Sequence, residues 1–477
     1  MTHMSRTNAG YAAALALPLK LDAQAGPHQR ALYRALRQQI ETGRLMPGER
    51  LPATRDLARQ AGIARGAVVA AYELLVADGF AEARVGAGTF VAAHVPFVPP
   101  ANAAPADEAP LLPPRAGLPG AIGLARADPR TQDVLRRLMA RHILNPRSES
   151  LQYGDPRGSR ELREELAHYL STARGVRCAA RNVVVTAGVQ HGLDLFIRAA
   201  LCPGDTVWFE NPGYPMAREA LEGAGLALAP VPVDGEGLDV AAGEGVAPAA
   251  RAAYVTPSHQ FPLGVAMTMP RRLALVDWAR RNDAFIVEDD YDSEFRYAGA
   301  PLTALQGIDD AGRVVYLGTF SKVLFPGLRV GYMVVPDRLL PRILAVRARS
   351  DRFPPALFEP AIAAFLREGH FAAHLRRARR AARAARDALV AALNARGLAV
   401  CAPDQGLHLL CDLPAGHRDT ALAEAAIARG LGARALSPLY LGAPAREGLL
   451  LGFSGVVPEE LARIAGVALD LPGAGAD

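Results

Sequence analysis

Apolar residues near the start of the chain recur at helical spacing. Leu32, Leu36 and Ile40 share one face across residues 28–42, and Gly43 marks the end of that helix. A second helix is predicted over 55–61, with Thr54 placed to cap its first turn. Residues 62–65 read as a turn. A third helix is predicted over 66–78, with Val68, Val69, Tyr72, Leu75 and Val76 facing inward. Two short strands, 79–84 and 89–92, flank Val85, Gly86, Ala87 and Gly88. Helix, helix-turn-helix, hairpin is the order of a winged helix, which places one domain at 28–94.

Beyond it the pattern changes. Residues 95–119 are crowded with proline and alanine and read as a semi-extended linker. From 120 onward helical patterns alternate with short apolar runs at 182–186, 205–209, 252–256, 285–288 and 313–317. These runs are unalternated, as expected of strands covered on both faces. The fold class is therefore α/β, with a mostly parallel, doubly wound sheet.

Composition adds two points. The 477 residues carry 53 Lys and Arg against 48 Asp and Glu, a net charge of +5, which permits nucleic-acid binding without demanding it. Only two of the basic residues, Lys20 and Lys322, are lysines. Arg serves wherever a fixed positive charge is enough. A surviving lysine deep in the chain points to chemistry that guanidinium cannot perform, such as attack on a carbonyl by a deprotonated amine. Cys178, Cys202, Cys401 and Cys411 form no C-x-x-C pair, so neither a zinc site nor any other metal centre is expected. No leader-like N-terminus and no apolar run of about 18 residues is present, so a cytoplasmic protein with no membrane partner is expected.

Lys322 has telling neighbours. Tyr316-Leu-Gly-Thr319-Phe-Ser-Lys322 passes from a strand through a hydroxylated turn, and Arg329 follows seven residues later. A cofactor aldehyde joined to Lys322 would have its phosphate near the Thr319 hydroxyl and Arg329. Upstream, an apolar strand ends in Asp289, Asp290 and Tyr291. A carboxylate at such a strand end faces the cleft and suits a pyridine nitrogen; the register favours Asp289 over Asp290. Gly188 and Val189 open a helix whose N-terminus would seat phosphate. Tyr214 follows a Pro-Gly turn and is placed to stack on a flat ring.

Two resemblances follow from these strings. Gly48-Glu-Arg-Leu-Pro-Ala-Thr-Arg-Asp-Leu-Ala58, with Ala71-Tyr-Glu-Leu-Leu75 and Gly86-Ala-Gly-Thr-Phe-Val91, resembles the GntR family of bacterial regulators. The body resembles fold type I aminotransferases that use pyridoxal 5′-phosphate (PLP). The whole chain looks like the MocR/GabR subfamily, in which the two are fused.

By that resemblance Thr54, Arg55, Arg65, Gly66, Arg84, Gly86 and Gly88 meet double-stranded DNA at promoter half-sites. Small residues at the start of the third helix would let it lie close in the major groove. In the body, Lys322 forms the internal aldimine, Asp289 pairs the pyridine nitrogen and Tyr291 bonds the ring hydroxyl. Tyr214 stacks on the ring, and Gly188, Val189, Thr319 and Arg329 hold the phosphate. Tyr153 reaches the phosphate of a partner subunit in a homodimer, unless it is a local turn residue. His259, in Thr256-Pro-Ser-His-Gln-Phe-Pro-Leu-Gly264, either approaches the ring or serves its own turn. The body spans 120–477, with a smaller subdomain from about 345. The Arg-rich stretch 375–383 reads as a solvated helix face.

The chain departs from the enzyme pattern where a substrate carboxylate would bind. Leu450 stands where an arginine is expected, unless Arg446 or another residue supplies one, and Met216 fills a place held by arginine in an amino-acid-sensing relative. A lost charge-assisted pair costs roughly 1.5–3 kcal/mol of binding. The expectation is a regulator responding to PLP or to a small amine or amino-acid effector, with transamination slow or absent. The rival is a working aminotransferase with an appended DNA-binding head; a PLP-free repressor is a third reading.

Overall fold

The computed structural model describes residues 28–95, 117–144, 151–299, 302–398, 400–413 and 416–468. Its contacts divide the chain into two units, Met1–Leu111 and Leu112–Asp477. Apart from its ends, the Pro-rich stretch at 95–119 lies outside the described residues.

The first unit holds α1 (His28–Glu41), α2 (Thr54–Ala61), α3 (Arg65–Ala77), β1 (Ala81–Arg84) and β2 (Gly88–Val91). Leu32, Leu36, Ile40, Leu57, Val68, Tyr72, Leu75 and Phe80 close one apolar core. Between α2 and α3 the chain bends by 116° at a turn that Gly62 enters in the left-handed region. Three local expectations need correction. Thr54 does not cap α2; Ala53 holds that position, and the Thr54 hydroxyl instead accepts from Arg65 Nε at 3.3 Å. Val76 is exposed and Val69 half-buried, while Ala71 is buried, because a step of 100° per residue puts Val68, Ala71, Tyr72 and Leu75 on the inner stripe. The wing gains a third segment: Leu51 donates to Thr89 and Val91 to Glu49, each at 2.8 Å.

The second unit is built on eight strands in the order β3 (Val183–Thr186), β10 (Gly331–Val334), β9 (Val314–Thr319), β8 (Phe285–Asp290), β7 (Ala252–Val255), β4 (Thr206–Asn211), β5 (Ala227–Asp234) and β6 (Gly237–Leu238). Strands β4, β5, β7, β8 and β9 run parallel, and β10 runs antiparallel to both neighbours. The reason is length. Only residues 320–330 join β9 to β10, too few for the crossover of a dozen or more residues that a parallel strand requires. That short return carries Lys322.

The sequence pattern missed β5 because Pro230 and Pro232 lie inside it. They are tolerated where β5 meets an outer partner only at Val233 and Asp234. Strands β3, β7, β8, β9 and β10 are buried along their whole length, with apolar clusters on both faces. A second, antiparallel sheet of β11 (His408–Asp412), β13 (Gly448–Gly452) and β12 (Arg434–Ala435) joins the long helix His370–Asn394 in the C-terminal part. No helix among the described residues is long and apolar enough to cross a membrane.

Candidate functional site

Parallel strands deliver their C-terminal residues to one edge of a sheet, and ligands bind in the crevice beyond that edge. Here the edge opens on a cavity of about 230 Å³. Gly188, Val189, Tyr214, Asp289, Tyr291, Thr319, Lys322 and Arg329 line it, together with Ile122, Gly123, Thr256, Phe261, Ser321 and His408.

Alternation along β8 separates its three carboxyls. Glu288 accepts the backbone N–H groups of Leu305 and Gln306 at 2.8 and 2.9 Å. Asp290 accepts from Arg174 Nε at 2.8 Å and from the Tyr316 hydroxyl at 2.6 Å. Asp289 points the other way, to the cavity. Its Oδ2 accepts from the Tyr254 hydroxyl, while its Oδ1 is buried without a partner. Burial pushes the Asp289 carboxyl up to about 7.

Lys322 is half-buried, and burial pulls its amine below the ordinary range against the opposing charges of Asp289 and Asp292. The segment around Gly123 lies against the amine: a Cβ there would fall 2.3 Å from Nζ and displace it, and the φ of 82° disfavours any side chain. Gly188, at φ 119°, opens the helix Val189–Ala200. A Cβ on it would sit 3.7 Å from Arg329 Nη1, so the guanidinium lies over this turn. The Thr319 hydroxyl accepts the Ser321 N–H at 3.1 Å. Tyr214 is half-buried, edge-on to Phe261 with ring centroids 5.5 Å apart.

Two of the residues named from sequence lie elsewhere. Tyr153 is 76% exposed, T-shaped to Phe353 with Arg352 over its ring, and does not line this cavity. His259 is buried behind the wall, held by Asp292 and Tyr291, and the imidazole that lines the cavity is His408. Sequence reading passed over His408, Tyr254, Arg174 and Gly123. His408 left one trace, a polar residue opening the apolar run Leu409-Leu-Cys411. Tyr254 and Arg174 left none, since each is defined by a partner distant in sequence.

The place expected to lack a carboxylate clamp is apolar. Leu450 is fully buried with Leu436, Leu439, Tyr440 and Phe261, against Tyr214, Tyr291 and Ile122. Arg446 is exposed and paired with Asp412. Met216 is exposed. Arg434 stands opposite Leu450 in the β12–β13 register and its charge reaches Tyr214, but it already has a partner of its own. The arginine-rich stretch is divided: Arg376, Arg380 and Arg383 are exposed, while Arg377 bonds Asp128 and Thr131 and Arg379 bonds the Glu294 carbonyl.

In the first unit Arg55, Arg65 and Gly66 are exposed at the starts of α2 and α3, and nothing lies within 4 Å of a Cβ built on Gly66. Arg84 lies over the Phe90 ring at 4.5 Å and beside Glu82 at 3.5 Å. Gly86 and Gly88, at φ 73° and 112°, form the wing turn around the fully exposed Val85.

Comparison with known proteins bears on both units. Residues 28–91 match the bacterial regulatory proteins of the gntR family, and residues 121–465 match aminotransferase class I and II. Over 453 residues the chain is 37% identical to the probable rhizopine catabolism regulatory protein MocR of Rhizobium meliloti, covering 91% of this chain and 92% of that one. It is 33% identical to the pyridoxine biosynthesis transcriptional regulator PdxR of Corynebacterium glutamicum, over 88% and 91% of the two chains. The fold superposes on Pyrococcus horikoshii kynurenine aminotransferase in complex with PMP at a TM-score of 0.67, with 28% identity over 74% of this chain and 89% of that one.

The cavity fits a pyridoxal cofactor on its own chemistry. It offers an amine for an aldehyde, an orphaned carboxylate oxygen for a ring N–H, and a hydroxyl, a helix N-terminus and a guanidinium for a phosphate.

Proposed function

The chain belongs to the aminotransferase class I and II family, carried behind a gntR-family DNA-binding domain, and on that premise we propose a transcription regulator whose promoter affinity is set by what is bound at Lys322. PLP supplies an electron-withdrawing ring and an aldehyde that reacts with amines. The chain's own residues do the rest. Lys322 would anchor the aldehyde carbon, Asp289 Oδ1 would accept the ring N–H, Tyr291 would bond the ring hydroxyl oxygen, and Tyr214 would stack on the ring. Gly188, Val189, Thr319 and Arg329 hold the phosphate. The observation that carries this reading is the convergence of Lys322, an unpartnered Asp289 oxygen and Arg329 on one cavity.

The apolar surroundings of Leu450 favour an effector without an α-carboxylate, either PLP itself or a simple amine, and make transamination slow. Residues 28–94 form the DNA-binding part, with Thr54, Arg55, Arg65 and Gly66 at the major groove and Arg84, Gly86 and Gly88 on the wing. Residues 120–477 form the sensing part. The protein works as a homodimer, in which the exposed Tyr153 extends toward the partner's phosphate site.

The test is DNA affinity of the full-length protein for the intergenic region beside its own gene, with and without added PLP. PLP should change the affinity of the wild type and leave Lys322→Ala unmoved but still able to bind DNA. Equal affinities with and without PLP would overturn the switch. Sustained release of a keto acid from common amino acids would instead favour the rival enzyme.

A further inference from the structure

The wall behind Tyr291 carries polar groups that cofactor binding does not itself require. Tyr291 Oη lies 3.0 Å from His259 Nδ1. The same nitrogen lies 2.9 Å from Oδ2 of Asp292 and 3.2 Å from Oδ1. Asp292 also accepts the backbone N–H of Leu407 at 3.1 Å. His259 and Asp292 are buried, at 3% and 1% exposure. The His259 ring is clamped: a Cβ on Gly406 would fall 1.9 Å from Cε1, and one on Gly264 would fall 3.3 Å from Nε2.

Hydrogen counting fixes the direction of this chain. A carboxylate that takes two N–H groups acts as an acceptor, so Nδ1 must carry a proton. Nε2 is buried without a partner, which fits a bare nitrogen on a neutral ring rather than an orphaned, charged N–H. Nδ1 cannot then accept from Tyr291. The single Nδ1 proton is shared between the Asp292 carboxylate and the tyrosine oxygen in a three-centre bond, which leaves the tyrosine's own proton free to turn toward the cavity it lines. His259, Asp292 and His408 also lie close enough to suggest a metal centre. The contact that the geometry shows is the hydrogen bond from His259 Nδ1 to the Asp292 carboxylate.

We propose that Asp292 and His259 are positioning residues that hold Tyr291 as a hydrogen-bond donor into the cofactor cavity. The proposal rests on the cofactor reading above. Donation to the ring hydroxyl oxygen stabilises its anionic form, so the relay keeps the lysine-bound cofactor less basic than it would otherwise be. Besides Asp292, the charges of Asp289, Glu210 and Asp290 reach Tyr291, and Lys322 lines the same cavity. His408, which packs on His259 with ring centroids 4.9 Å apart, is pushed down to about 3 by burial and adds no charge near neutrality.

The experiment is a pH titration of the visible absorbance of full-length protein loaded with PLP. His259→Phe and Asp292→Asn should each raise the midpoint by about one pH unit, a tenfold change in basicity. His259→Asn, whose amide N–H stands in for Nδ1–H, should restore most of it. In a Tyr291→Phe background, His259→Phe should add nothing, because the relay has lost its terminus. An unchanged midpoint in loaded His259→Phe and Asp292→Asn, or a shift equally large without Tyr291, overturns the relay alone. Absence of any Lys322-dependent band in the wild type overturns the cofactor reading and the relay with it.

Discussion

The arginines of the winged-helix face and the arginine behind the cavity are used in opposite ways. On that face, Arg55, Arg65 and Arg84 stand exposed on elements within 31 residues of one another. Behind the cavity, Arg174 is buried and fully engaged: it bonds Asp290 and Ser258 at 2.8 Å and the Leu302 carbonyl at 2.9 Å. Exposed arginines keep their hydration until a phosphate or base edge replaces it, so each contributes separately and in a salt-dependent way. A buried arginine has exchanged water for fixed partners, and removing it strands them. The DNA-binding surface should therefore degrade by increments, whereas the cavity's support should fail as a unit.

The contrast breaks most visibly at Arg174. Arg174→Met should cost about 3–5 kcal/mol by leaving Asp290 uncompensated. The chain's two tryptophans, Trp208 and Trp278, stack 3.8 Å apart within the second unit, so their fluorescence during denaturant unfolding reads that unit alone. A loss under about 1 kcal/mol would mean the pair behaves like a surface bridge.

Arg65→Ala should weaken DNA binding by about 1–3 kcal/mol. It should leave the tryptophan transition and the cofactor spectrum unmoved. A shift in either would show that the two units are energetically coupled through the DNA-reading face.

A pH dependence sharpens the comparison on the buried side. Glu210, Glu288, Asp289 and Glu294 are each pushed up to about 7 by burial. A carboxyl raised in the folded state contributes stability that is full below its ordinary value of about 4 and is lost as pH climbs through about 7. Cofactor-free protein should thus melt lower at roughly pH 8 than at pH 5. PLP gives Asp289 a cationic ring N–H to face, so loading should shrink that difference. Parallel melting curves with and without PLP would remove Asp289 from the ring nitrogen.

Legibility in the sequence followed the reach of each interaction. The winged helix could be read because its helices, turn and hairpin are set by neighbours a few residues apart, and Gly62, Gly86 and Gly88 adopt positive φ where the pattern placed turns. The short return from β9 that carries Lys322 was legible for the same reason. The error at Thr54 was one of competition: its hydroxyl could cap its own helix or meet Arg65, and only the folded turn brings Arg65 there. Strand β5 was hidden by prolines that are harmless only in its particular place in the sheet.

The sequence by itself determined the winged helix, the α/β body and the segments bearing Lys322, Asp289, Tyr214, Gly188 and Arg329, since each is a local string with a local conformation. Tertiary structure alone decided that these strings share a cavity, because parallel strands bring their ends to one edge whatever their separation along the chain. It also decided that His259 stands behind Tyr291 while His408 faces the cavity. That distinction depends on which nitrogen meets which carboxylate across 33 residues, and no spacing rule encodes it.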